Sequence, residues 1–254
     1  MRPRSLLMMI PFLFISVSRL WAWTADVHSA FERGNQHYRQ GQFNESVSLF
    51  QGLAEKNPKT AVFFYNLGNS YYRAGERGRA LLAYERALVL APRSGDTRKN
   101  LNYVRGLLEY RIEDKRNWYI RAGEALLKYF TEEEILFVTA LAGFFFLAGW
   151  AFVLFFKPGL PWGFWRKAAL VSLILSLMLA GAKHVQSRVI RDAIVMSKEA
   201  EGRYGPSESD QVAFRLGEGL KVYVVDSREG WKRVLLTNGE SGWMRDDQIA
   251  EVRV

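Results

Sequence analysis

The sequence predicts a multidomain chain: an all-α region of helical repeats, two transmembrane helices, and a C-terminal all-β region built as a small barrel. Three observations predict this. Residues recur at a fixed spacing of 34 in the first half, two uncharged apolar blocks follow, and apolar residues alternate with polar ones near the end.

Composition narrows the functional classes. An aromatic content of 14% excludes a chain disordered throughout. The absence of cysteine excludes a disulfide scaffold, thiolate metal sites and a cysteine nucleophile. His28, His37 and His184 lie far apart in sequence, which argues against a histidine-built metal centre. The net charge of +9 is not a nucleic-acid footprint, because most of it flanks apolar segments or is diluted over the helical region. In residues 193–254 the acids outnumber the bases.

The chain opens with Arg2 and Arg4 before an apolar run of 12 residues, Leu6 to Val17. That run is too short for a spanning helix and suits a secretory signal, so residues 1–25 read as a signal peptide or an uncleaved N-terminal anchor. Either way Asp26 onward is delivered across a membrane.

Gly34, Asn35, Tyr38, Arg39 and Gly41 recur as Gly68, Asn69, Tyr72, Arg73 and Gly75. Ser46, Phe50 and Pro58 recur as Ala80, Tyr84 and Pro92. In the second unit Phe64, Leu67, Gly68, Tyr71, Ala80, Tyr84, Ala87 and Pro92 stand at the spacing that marks tetratricopeptide (TPR) repeats. Small Gly68 and Ala80 let two antiparallel helices approach, Tyr71 and Tyr84 fill the space between them, and Pro92 ends the second helix. The units cover about 27–60 and 61–94 of a domain spanning 26–115. Ala30 and Arg33 replace large apolar residues in the first unit, as suits a terminal repeat with a wet outer face. After Ser94–Gly95, Leu101 and Asn102 remain in phase. Residues 96–115 read as one capping helix, with Leu101, Val104, Leu107, Leu108 and Ile112 on one face.

Residues 116–134 predict a juxtamembrane helix in which Trp118, Ala122, Ala125, Leu126 and Tyr129 share a face. It suits either a bilayer interface or packing against the repeats. Thr131 and Glu134 form a capping box ahead of residues 135–156, which carry no charge and are long enough to span a bilayer. A basic turn, 157–167, leads to a second spanning segment, 168–184, whose apolar block of 15 residues (168–182) is short unless the flanking cations snorkel. The positive-inside rule keeps the turn cytoplasmic and places both flanking regions outside.

In the last region Val212, Phe214 and Leu216 alternate, as do Val222 and Val224, then Trp231, Val234 and Leu236. Gly205-Pro206, Gly217 to Gly219, Arg228 to Gly230 and Asn238-Gly239 supply turns between five short strands. Arg203-Tyr204-Gly205-Pro206, Gly230-Trp231 with Val234, and Asn238-Gly239 with Gly242-Trp243 resemble the motifs of bacterial SH3 (SH3b) domains, over residues 193–254. Glu201-Gly202 depart from that pattern and imply an irregular first strand. The order of signal, TPR pair, two spanning helices and SH3b is similar to BatE-type proteins of bacterial aerotolerance (Bat) operons. That resemblance implies a membrane-tethered partner of other Bat proteins in the inner membrane, with TPR and SH3b regions on the periplasmic side.

No phosphate-binding loop, H-E-x-x-H or G-x-S-x-G motif occurs, so the expectation is a non-enzymatic protein with no cofactor. Packing explains the repeated glycines and the rings between helices, but not Asn35/Asn69 and Arg39/Arg73. By resemblance to TPR proteins, Asn35, Tyr38, Arg39, Asn69, Tyr72 and Arg73 line a groove for an extended partner segment. Arg–carboxylate pairing would favour an acidic one. The expected partners are other envelope or membrane proteins and membrane lipid. The alternative is a cell-wall (peptidoglycan peptide) ligand on an SH3b surface made by Tyr204, Tyr223, Trp231 and Trp243.

Overall fold

The computed structural model describes residues 25–156, 162–188 and 190–253. Residues 1–24 of the expected signal or anchor, 1–25, and residues 157–161 of the basic turn lie outside the described residues.

Two antiparallel helix pairs begin the fold. Helix α1 (25–39) pairs with α2 (Phe43–Lys56), and α3 (Ala61–Arg73) with α4 (Arg77–Leu90). Gly41 and Gly75 turn each pair at φ +78° and +86°, in the left-handed region that a side chain resists. The repeat spacing has a steric origin. A Cβ added at Gly34 would lie 2.9 Å from Phe50 Cζ, and one at Gly68 2.6 Å from Tyr84 Cδ1. In both pairs an aromatic ring, almost fully buried, therefore rests on bare helix backbone.

Helix α5 (Gly95–Gly106) closes the stack, with Ser94 Oγ accepting the Thr97 N–H and with Leu101 and Val104 buried. The helix expected over 96–115 stops at Gly106. Residues 107–117 instead cross to the C-terminal region, where Leu108 and Ile112 pack on the sheet core and the Lys115 N–H donates to Thr237 O at 3.2 Å. Burial against that sheet outweighs continuation of the helical hydrogen bonds, a tertiary override of local periodicity.

Helix α6 (Trp118–Tyr129) leads into α7 (Glu132–Phe156). The capping box forms at the junction: the Thr131 N–H donates to Glu134 Oε2 at 3.0 Å and the Glu134 N–H to Thr131 Oγ1 at 3.1 Å. Helix α8 (Trp162–Arg188) packs back along α7, with Thr139 Oγ1 donating to Ser176 O at 3.3 Å. Its 27 residues make about 40 Å of helix, so the short apolar block sits inside a longer rod. Glu132–Ala151 and Lys167–Val185 are each long and apolar enough to cross a membrane. Phe137, Phe144, Leu147 and Met178 point outward from the pair, exposed.

Seven strands follow instead of five: β1 (Arg191–Val195), β2 (Ala200–Arg203), β3 (Val212–Leu216), β4 (Lys221–Arg228), β5 (Trp231–Leu235), β6 (Ser241–Arg245) and β7 (Ile249–Glu251). They form one antiparallel sheet in the order β3-β2-β6-β5-β4-β1-β7. Strand β1 has no alternation to read, because both its faces are covered. Ile194 enters the helical core while Ala193 and Val195 enter the sheet core. The closed barrel expected from the alternation is not formed. The ladder ends at β3 and β7, and β2 meets β6 through one residue pair, Arg203 with Trp243. On its other side β2 pairs with β3 through a register shift between Gly202 and Arg203, where the Phe214 ring lies on Gly202.

Helices and sheet share a core. The turn Gly217-Glu218-Gly219 enters the helical region, with Gly219 at φ +86° and no room for a Cβ between Leu81 and Leu108. Helix α4 lacks a side-chain cap of its own, and Glu218 Oε1 accepts the Gly78 N–H at 2.9 Å in its first turn. A carboxylate at a helix N-terminus meets both unpaired N–H groups and the positive end of the dipole. Replacing Glu218 by alanine is expected to cost about 1 kcal/mol, read as a lower midpoint in a chemical denaturation series followed by helical circular dichroism.

Candidate functional site

The six residues expected to line a groove lie on α1 and α3, the first helix of each pair. Asn69 is half-buried on α3, and its Oδ1 accepts from Tyr84 Oη at 2.7 Å and from Asn100 Nδ2 at 2.9 Å. With the oxygen engaged twice, the amide N–H groups are what Asn69 has left to donate to a ligand carbonyl. Burial, then the nearby phenols of Tyr38 and Tyr65, push the Tyr84 hydroxyl far above the ordinary tyrosine range, so it stays a donor to Asn69.

Around this centre Tyr65 packs against Tyr84, and the Tyr72 and Tyr103 rings meet edge to face at 5.8 Å. Arg73 is exposed and lies over Phe43 at 4.4 Å and Tyr38 at 5.8 Å, which links α3 to the first unit by cation–π contact. Of the six residues expected, Tyr38, Asn69, Tyr72 and Arg73 make these contacts. Asn35 is half-buried and Arg39 exposed on α1. Sequence reasoning missed Tyr65, Asn100 and Tyr103. Continuing the 34-residue period into α5 would have found two of them, since Asn100 follows Asn66 and Tyr103 follows Asn69 at that spacing.

The four aromatics expected on the sheet have different surroundings. Tyr204 is exposed. Trp231 lines a cleft of about 540 Å³ with Glu201, Arg203, Glu208 and Arg245. Trp243 is buried beneath the Arg228 guanidinium, 4.9 Å from its ring centre. Tyr223 is buried against α6, where its Oη donates to Glu124 Oε1 at 3.2 Å and accepts from Arg116 Nη1 at 3.1 Å.

That last contact belongs to a chain of eight alternating charges along the seam between helices and sheet. Arg105 pairs with Glu85, whose Oε2 lies 3.1 Å from Lys221 Nζ. Lys221 lies 2.7 Å from Asp192, and Asp192 lies 2.8 Å from Lys128. Lys128 pairs with Glu124, Glu124 lies 2.7 Å from Arg116, and Arg116 lies 2.7 Å from Asp114. Burial alone would raise the Asp192 carboxyl, but the ammonium groups of Lys221 and Lys128 override it and hold the group down at about 2. Burial would lower Lys221, yet Glu85 and Asp192 hold it above the ordinary lysine range. Burial and then Glu124 push Tyr223 up to about 12. No local spacing announced this chain, because its members come from six separated segments.

Residues 61–94 match the tetratricopeptide repeat family, the same span as the second helix pair with its following turn. No curated protein matches the chain.

The seam predicts two responses. Lys221→Met removes the cation between Glu85 and Asp192, leaving each with one partner, Arg105 or Lys128, and is expected to cost about 2 kcal/mol in denaturant titration. Asp192 has its folded value depressed from 3.8 to about 2, so its contribution of about 2 kcal/mol is complete above about pH 5 and lost as pH falls toward 2. Melting temperatures followed from pH 6 to pH 2 are expected to fall less steeply for Asp192→Asn than for the parent chain.

Proposed function

We propose that the chain is a non-enzymatic adaptor of the bacterial envelope that binds segments of other envelope or membrane proteins in its TPR groove. The α7–α8 hairpin spans the inner membrane, its basic turn 157–167 stays in the cytoplasm, and the helical and sheet regions face the periplasm. Their common core supports placing both regions on one side. Residues 193–254 are an SH3b-type unit that leans on the repeats, and the partners are of the Bat type that the domain order resembles.

The observation that carries this reading is Asn69. Its oxygen is pinned by Tyr84 and Asn100, which aligns the side chain as a fixed donor beside an exposed arginine and a row of tyrosine rings. Such a surface suits an extended segment: the amide holds the backbone, Arg73 pairs a carboxylate, and the rings take side chains. The sheet lies against α4, whereas the groove set lies on α1, α3 and α5.

A second reading draws on the cleft beside Trp231, where charges of both signs and an aromatic wall suit a zwitterionic cell-wall peptide. It requires retention of the whole chain on purified peptidoglycan, lost in Trp231→Ala and kept in the groove variants.

Asn69→Asp keeps the acceptor for Tyr84 and Asn100 and removes the N–H donors, so the fold is retained. Combined with Arg73→Ala, it is expected to lower co-purification of membrane partners about tenfold, with an unchanged melting curve. Undiminished recovery would remove the groove assignment.

A further inference from the structure

Helix α6 has two unlike sides. Glu124 and Lys128 on one side belong to the seam, bound to Arg116, Tyr223 and Asp192. The other side carries Trp118, 73% exposed, and Leu126 at 57%, with Tyr129 at 46% although the Arg93 guanidinium lies over its ring at 5.5 Å, and no residue of the helix is buried. An apolar, aromatic helix face left uncovered by a chain that otherwise packs its helices closely calls for an occupant.

The position of α6 says which. Two residues, Phe130 and Thr131, separate it from α7, whose Leu136 and Phe137 are likewise exposed, at 61% and 68%. From the other helix of the hairpin, Lys183 Nζ donates to Leu127 O and Phe130 O, each at 2.8 Å, and so ties down the C-terminal end of α6. The uncovered face of α6 is thus fixed where the apolar surface of the hairpin begins. Tryptophan and tyrosine beside aliphatic groups are the side chains that settle at a headgroup boundary, and Arg121 is exposed to reach anionic headgroups.

We infer that α6 lies in the headgroup layer of the bilayer, with Trp118, Leu126 and Tyr129 in lipid, as the foot on which the joined helical and sheet regions stand. This rests on the reading of α7–α8 as a spanning hairpin. The seam then holds that body close to the membrane surface instead of leaving it on a free tether.

Because the chain has no cysteine, single spin labels can be placed without background. The full chain is reconstituted in vesicles of phosphatidylethanolamine and phosphatidylglycerol with labels at Leu126→Cys, at Phe145→Cys within α7, or at Glu240→Cys on the β5–β6 turn. Accessibility to oxygen and to a water-soluble nickel chelate is then measured. The expected result is a shallow lipid position for residue 126, about 5–10 Å below the headgroups, a deep one for 145 and an aqueous one for 240. An aqueous label at 126 with a deep label at 145 overturns the inference and leaves the hairpin standing. Exclusion of both reagents at 126, with 145 still deep, also overturns it, since a protein partner or a second copy would then cover the face. An aqueous label at 145 overturns the hairpin reading itself, and the inference with it.

Discussion

The alternating charges from Arg105 to Asp114 are the constraint on which the rest of the arrangement depends. Glu85, Lys221 and Asp192 are mostly withdrawn from water, and an ion taken from water without a partner costs several kcal/mol. Each member therefore requires its neighbours at contact distance. Those neighbours sit on α4, α5, the 107–117 crossing, α6, β1 and β4. Satisfying one charge consequently fixes the placement of six segments at once. The pattern adds little to net stability compared with an apolar seam, but it strongly disfavours a shifted one.

Packing cooperates with charge at the same junction. Ile194 and Val252 from the sheet enter the helical core, while Leu108 and Ile112 from the crossing segment rest on the sheet core. Glu218 completes the first turn of α4 from 140 residues away. Among the described residues the repeat stack has two full units, α5 closes it on α4 as a capping helix does, and β1 of the sheet packs against α4 as well.

Much of this was legible in the sequence wherever a residue's role depends on near neighbours. The 34-residue period placed both helix pairs, and the ring-on-glycine contacts at Gly34 and Gly68 followed from it. The Thr131–Glu134 box and the Asn238-Gly239 turn were likewise local. Misreadings arose where distant chain supplied the burial. Leu108 and Ile112 kept a helical spacing yet left the helix, because the sheet offered them a core. Strand β1 escaped notice as a strand because two cores claim its two faces. Tyr223 looked like a member of an exposed aromatic surface and is held under Arg116 and Glu124 instead.

The sequence by itself determined the repeat unit, the two long apolar helices, the β character of the last region and the recurrence of Asn35 and Arg39 as Asn69 and Arg73 at the repeat spacing. These rest on periodicity and turn chemistry, which act over a few residues. Only the tertiary structure decided that helices and sheet form one body, that the sheet stays open, that Asn69 is held by Tyr84 and Asn100, and that one face of α6 is left bare. Such outcomes depend on which surfaces meet. Burial and ion pairing between segments a hundred residues apart leave no spacing in the chain to read.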